Sequence, residues 1–375
     1  MPNPALLAAL AAHAAEDDRA ARFPAASLAL LHQEGLLALT TPARWGGGGA
    51  GLARAAKVVA AVGGACASTG LILAMQLIQQ HLMADDPTWP LAVREMLGSS
   101  AVADGALVNT LRTEAALGAP TRGGLPETVA RPCAEGWRLS GRKIYCTGLP
   151  GLRWLLVWAR TEETAPRCGY FLVVAGSPGL RQVPAWDHLG LRASASQDLV
   201  LEDVPVPAAH AGELRPPAGW AALPDALLAW HALLPAAVYC GVAGAARNWV
   251  LGFLRARTPT ALGAPLASLP RVQEAVGGIE ELRLANARLL ASACAAVDAG
   301  AAPPGREVNL LKVTLAENAV RLVEQCAALA GNHAMARRNP LERHWRDVLC
   351  ARVHTPHADA ARLMAGRAVL EQYPS

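Results

Sequence analysis

Between Leu139 and Pro207 the chain reads as β structure, and on both sides of that stretch it reads as helix. The stretch runs LSGRKIYCTGLPGLRWLLVWAR, then GYFLVVAGSPGLRQVPAWDHLGLRAS, and closes with QDLVLEDVPVP. Short runs rich in Val, Ile, Leu and Tyr alternate there with Gly and Pro, the signature of strands joined by turns. A β insert between helical flanks excludes all-α and simple alternating β/α architectures. The expected class is α+β and mostly helical.

Composition supports the flanks. Hydrophobic residues make up 53% and aromatics only 5%, with Ala prominent, so the cores should be close helix packings of Ala, Leu and Val. Net charge is +4, and Lys occurs only at Lys57, Lys143 and Lys312, with no basic block that would suit nucleic acid. Eight cysteines are scattered without a CxxC pair, which argues against a disulfide framework and fits a reducing cytoplasm. The N-terminus lacks a basic region before its apolar run and reads as an amphipathic helix. No stretch of 18 residues is apolar without polar interruption, so no membrane span is expected.

Three regions follow. Residues 1–108 form an N-terminal helical domain, 109–217 a central β-barrel domain, and 218–375 a C-terminal four-helix bundle. Helical spacing covers residues 5–37, stops in the Pro/Gly loop TTPARWGGGGAG, and resumes from Leu52 to about Leu97. In the bundle, Pro235 should kink or break the first helix.

Several motifs in this framework are similar to those of the acyl-CoA dehydrogenase superfamily of flavoproteins. WDHLGLRASASQDLVLEDVPVP (Trp186 to Pro207) resembles GxRxSxxxxxxFEDVxVP; GRKIYCTG resembles GxKxWxTNG; TEAALGAP stands where the family has TEPGAGSD. The altered second half of that last motif and the following TRGGLPET resemble the branch of flavin-dependent monooxygenases, of the dibenzothiophene monooxygenase kind. RARTPTALGAPLASLPRVQ and ALAGNHAMARRNPLERHWRD resemble the C-terminal elements.

The resemblance implies FAD or FMN as cofactor and assigns candidate contacts. Thr113 and Gly118 lie in the flavin loop; Tyr145 would wall the flavin ring, with the Thr147 hydroxyl near its N5 edge; Arg192 and Ser194 belong to the strongest motif. Arg257 and Gln273 would reach a neighbouring subunit's dinucleotide, and Gly331 and Asn332 form a turn that lets backbone approach cofactor. The charges of Glu342, Arg343, Arg346 and Asp347 are expected to make structural ion pairs. Trp186, Trp230 and His81 can line the pocket. The family also implies a homotetramer.

A dehydrogenase of this family needs a carboxylate to remove an α proton. In the loop that should carry it the chain reads RDVLCARVHTPHAD, and on the first bundle helix the equivalent offset falls on His231. Histidines stand at both places, so His354 and His231 are the catalytic candidates, His354 matching the monooxygenase branch. An imidazole exchanges protons near neutrality. No metal site is expected from His354 and His357.

Three functions stay open on these residues. One is a two-component monooxygenase that takes reduced flavin from a separate reductase and acts with O2 on a small organic substrate; no GxGxxG follows a strand here to bind NAD. Another is a dehydrogenase of CoA thioesters with a relocated base, such as Glu114. The last is a flavin-binding or helical assembly without catalysis.

Overall fold

The computed structural model describes residues 2–116, 124–220 and 224–372. Among the described residues five α-helices lead: α1 (Pro4–Ala20), α2 (Ala25–Gln33), α3 (Leu52–Ala65), α4 (Ala67–Ala84) and α5 (Leu91–Asp104). Seven strands follow among the described residues: β1 (Leu107–Leu111), β2 (Val129–Cys133), β3 (Gly136–Cys146), β4 (Leu152–Thr161), β5 (Cys168–Val174), β6 (Leu180–Val183) and β7 (Gln197–Pro207). The chain then returns to helix in α6 (Asp225–Ala256), α7 (Pro270–Asp298), α8 (Gly305–Ala330), α9 (Pro340–Leu349) and α10 (Ala358–Leu370). This is the mostly helical α+β arrangement expected.

The strands form one curled sheet in the order β1-β4-β2-β3-β7-β6, with β5 on the other side of β4. β1 and β4 are parallel, and the two longest strands, β3 and β7, are antiparallel neighbours. Bridges from β5 to Ala211 and Arg215 draw the segment after β7 over the sheet's β5 edge.

Periodicity alone overestimates helix length. The expected helix over 5–37 is divided at Ala21, which is left-handed (φ 48°), just ahead of Pro24. The next one is divided at Cys66, an extended residue, and again before Pro90. Conversely, α6 runs unbroken through Pro235, whose neighbours Leu233, Leu234, Ala236 and Ala237 are all buried. Packing there outweighs the roughly 3 kcal/mol that an internal proline costs a helix. A short helix, α9, adds to the four expected in the bundle.

α6 is the axis of the molecule. It is long and apolar enough to cross a bilayer, yet 67% of its most apolar window is buried inside the protein. It packs on α3 and α8, with α4, α7 and α9 around them. Small residues allow the α3–α6 approach: a Cβ on Gly241 would stand 2.0 Å from the carbonyl oxygen of Ala60. The Asp298 carboxylate, at the end of α7, accepts hydrogen bonds from the first amides of α3, Leu52 N (2.6 Å) and Ala53 N (3.0 Å). One hydrophobic core therefore runs through leading helices, sheet and bundle.

Candidate active site

The β-side of the site is built where β3 ends. Tyr145 adopts φ 58°, unusual for a non-glycine residue, and its side chain is 54% exposed. Its ring meets Trp186 edge-on at 6.3 Å and His188 at 5.8 Å, and those two stack on each other at 3.7 Å. Beside it the Thr147 hydroxyl accepts a hydrogen bond from Ser196 Oγ (3.1 Å), which contacts Ser194 Oγ (2.8 Å). The Thr147 proton has no acceptor among the described residues, so it can be donated outward. Thr113 is anchored alongside, its carbonyl accepting from Ile144 N at 3.0 Å.

An exposed aromatic face next to an outward hydroxyl donor suits one face and one edge of a flat heterocycle. These residues fit a flavin ring. Ser194 requires correction as a contact residue: it is 0% exposed and reaches Thr147 only through Ser196. Arg192 is likewise drawn elsewhere, its guanidinium donating to the carbonyls of Asp18 (3.0 Å) and His188 (3.3 Å). Gly118 lies outside the described residues.

The candidate on the helical side of the molecule is His354, in the loop between α9 and α10. Its Nδ1 lies 3.0 Å from the hydroxyl of Tyr239 on α6. Burial, together with the nearby charges of Lys312 and His357, pushes the imidazole pKa down to about 4, so it is neutral at pH 7. Burial raises the Tyr239 phenol well above its ordinary value, so it keeps its proton. When Nδ1–H donates to Tyr239, Nε2 is a free base; when the phenol donates to Nδ1, Nε2–H is a donor. The pair can accept a proton or return one.

Lys312 holds this loop. Its ammonium is 3% exposed and donates to the carbonyls of Ala351 (3.1 Å), His354 and Pro356 (3.1 Å). Burial lowers its pKa to about 8, which leaves it protonated near neutrality. Neither Lys312 nor Tyr239 carried a motif signal; one of the chain's three lysines in an apolar helix was the only hint.

Sheet and bundle are stapled through α9. Leu191 N donates to the buried Asp347 carboxylate at 2.7 Å. A Cβ on Gly190 would stand 2.3 Å from the carbonyl oxygen of Arg346, so only glycine lets the loop lie on α9. Trp186 Nε1 donates to the Leu191 carbonyl (3.1 Å), which ties the aromatic wall to the same staple.

His231 does not join His354. It is exposed on α6, with Nδ1 3.0 Å from the carbonyl of Leu227 one turn earlier. It stands about 12 Å along the helix from Tyr239 at 1.5 Å per residue. Trp230 and His81 stack at 4.0 Å, with Trp230 in the core. Glu114 is unavailable as a base: it pairs with Lys143, both side chains 0% exposed, and accepts from Glu127 N, Thr128 N and Thr128 Oγ1. Burial alone would raise its pKa, but the Lys143 charge and these hydrogen bonds hold it below the ordinary value.

The remaining cofactor candidates gather elsewhere. Arg257 caps the C-terminal end of α6, about 27 Å from Tyr239 along that helix. Gln273 opens α7 and donates to the Ala267 carbonyl at 3.0 Å. Gly331 (φ 56°) and Asn332 are exposed at the end of α8, where His333 packs on Phe253 of α6 at 4.9 Å. Asn332 lines a cleft of about 250 Å³. A second cleft of about 400 Å³ lies between α1 and α9, and neither is lined by Tyr145, Thr147 or His354.

The chain matches the N-terminal domain of acyl-CoA dehydrogenase over residues 6–84 and the C-terminal domain over residues 233–359. It belongs to the acyl-CoA dehydrogenase superfamily. It is 34% identical over 354 residues to "Putative acyl-CoA dehydrogenase YdbM" of Bacillus subtilis, strain 168, covering 93% of this chain and 90% of that one. It is 33% identical over 385 residues to the amino sugar nitrososynthase RubN8 of Streptomyces rubradiris, covering 96% and 86%. The structure of KijD3 in complex with FMN and dTDP-3-amino-2,3,6-trideoxy-4-keto-3-methyl-D-glucose superposes with a TM-score of 0.84 at 30% identity, over 97% and 91% of the two chains. This superfamily member is a flavin-dependent oxidoreductase.

Proposed function

We propose that this flavin-dependent enzyme is a two-component monooxygenase that receives reduced FMN or FAD from a separate reductase and oxygenates a heteroatom of a small organic substrate. One observation carries the reading: a neutral imidazole, His354, backed by the Tyr239 phenol, stands in the loop where a dehydrogenase needs a carboxylate. When bound, the flavin supplies the electrons and the oxygen-activating chemistry. Tyr145 would wall its ring and Thr147 would hydrogen-bond its edge. His354 would take a proton from the substrate heteroatom at Nε2, with Tyr239 fixing the tautomer. The likeness to an amino sugar nitrososynthase supports an amine as that heteroatom.

The likeness to YdbM favours a second reading, oxidation of a CoA thioester. It requires a carboxylate at the α carbon, and Glu114 is sealed in its ion pair. We place the enzyme in the cytoplasm as a homotetramer; Arg257, about 27 Å along α6 from Tyr239, would with Gln273 serve a neighbour's site.

A reduced-flavin oxygenation assay tests the proposal. Oxygen consumption that depends on reduced flavin and an amine or other heteroatom substrate is expected, with loss of product in His354→Ala. Bleaching of the oxidised holoenzyme by acyl-CoA thioesters would replace this reading with the second.

A further inference from the structure

The larger cleft lies between α1, the Leu189–Arg192 loop and the start of α9, and has a volume of about 400 Å³. Its lining holds Arg19, Arg192, Arg337, Arg338, Arg343 and Arg346 against the carboxylates Asp18 and Glu342. That local surplus equals the net charge of the entire chain, +4.

Both carboxylates are engaged by one arginine. Arg346 contacts Asp18 at 2.7 Å and Glu342 at 2.9 Å. Arg192 bonds backbone carbonyls and has Asp187 at 3.6 Å. The other four have no carboxylate within 4.0 Å among the described residues. Arg19, Arg337 and Arg338 are exposed, so water satisfies them. Arg343 is only 9% exposed and makes no hydrogen bond or ion pair with any described residue, while its nitrogens keep contact with solvent. The sequence reading expected an ion pair there, and the structure does not provide one.

The guanidinium nitrogens of this largely buried side chain bond no described residue and stay open to solvent in the cleft it lines, which is where an anionic acceptor can arrive. The first turn of α9 opens on the same cleft and adds the positive end of its dipole. Several planar donors with a surplus of positive charge match a multiply charged tetrahedral anion better than a single carboxylate. We propose that this cleft binds a phosphoryl group, a phosphate ester or pyrophosphate of a small molecule, gripped by Arg19, Arg337, Arg338 and Arg343. The loop that forms its wall carries Trp186 and His188 behind Tyr145, so the phosphoryl group can belong to the flavin or to the substrate.

Calorimetric titration of the full-length protein with inorganic pyrophosphate at low ionic strength tests this. Saturable binding is expected, weakened at least about tenfold in the double variant R337Q/R338Q and in Arg343→Gln, and unchanged in Arg181→Gln on β6. Both residues of the double variant are exposed, so it decides the matter even if Arg343→Gln fails to fold. Absence of binding, or equal affinity in wild type and double variant, overturns the proposal. Titration with FMN then separates the sources. A matching loss assigns the phosphoryl group to the flavin, and unchanged FMN affinity alongside weakened pyrophosphate binding assigns it to the substrate. These affinities are read without turnover, so failure of the monooxygenase reading would be seen separately in the oxygenation assay.

Discussion

Tyr239 and His354 meet at 3.0 Å although they are 115 positions apart in the chain. One belongs to the central helix of the bundle, the other to a loop that Lys312 fastens to α8. Replacing His354 by Ala removes the proton acceptor while leaving that anchoring intact, because Lys312 holds backbone carbonyls. Turnover in the reduced-flavin assay should fall about 10²–10⁴-fold, the usual contribution of a positioned acid or base. Flavin affinity, measured by fluorescence titration, should stay within about twofold of wild type, which is under 0.5 kcal/mol. Unchanged turnover would remove His354 from the mechanism.

Lys312→Met keeps the length of the side chain and removes the donor shared by three carbonyls. Hydrogen bonds from a charged donor contribute about 1.5–3 kcal/mol each when partners are lost. A fall of at least about 2 kcal/mol in urea unfolding is expected, together with reduced turnover from a displaced His354. Wild-type stability in this variant would show that the loop is held by other contacts.

Glu114 separates the two chemical readings. As a structural partner of Lys143, its change to Ala should cost roughly 3–5 kcal/mol, because it strands a buried ammonium. The paired replacement E114M/K143M should recover much of that loss. A Glu114→Gln enzyme that folds normally and loses only CoA-thioester oxidation would instead make Glu114 the base.

Tyr145→Ala removes the exposed ring at the end of β3 without touching the core. Loss of one aromatic wall should weaken flavin binding about tenfold, near 1.4 kcal/mol. Thermal stability should be nearly unchanged, since the ring is exposed and alanine keeps the Cβ that makes a φ of 58° unfavourable. Equal flavin affinity in the variant would move the ring site elsewhere.

The buried histidines make stability depend on pH. The pKa of His354 falls from 6.5 to about 4 and that of His344 to about 3, both chiefly through burial. Between those values the unfolded chain binds more protons than the folded one, so stability is full above pH 6.5 and declines toward pH 4 and below. Burial raises Asp347 from 3.8 to about 6, which acts in the opposite sense: its penalty is present above pH 6 and relieved toward pH 3.8. Two histidines against one carboxyl should leave a net decline in urea midpoint from pH 6.5 to 4. His354→Ala should make that decline shallower, and an identical pH profile would contradict the buried, neutral imidazole.

The sequence by itself determined the helix–sheet–helix order, because strand and helix periodicities and turn residues are local properties. Motif spacing also singled out Tyr145 and Thr147 as candidates and put His354, not an acid, at the family's base position. What only the tertiary structure decided were relations between distant segments. Ser194 turned out to be buried against Ser196, Arg192 on the Asp18 carbonyl, and Glu114 in an ion pair with Lys143. Helix length was decided there too, by left-handed Ala21 at one end and by burial around Pro235 at the other. Tyr239, Lys312 and the unpaired Arg343 bear no local signal, since their significance comes from which atoms the packed chain sets against them. Short-range spacing fixes which elements form; burial and long-range hydrogen bonds decide what each side chain does.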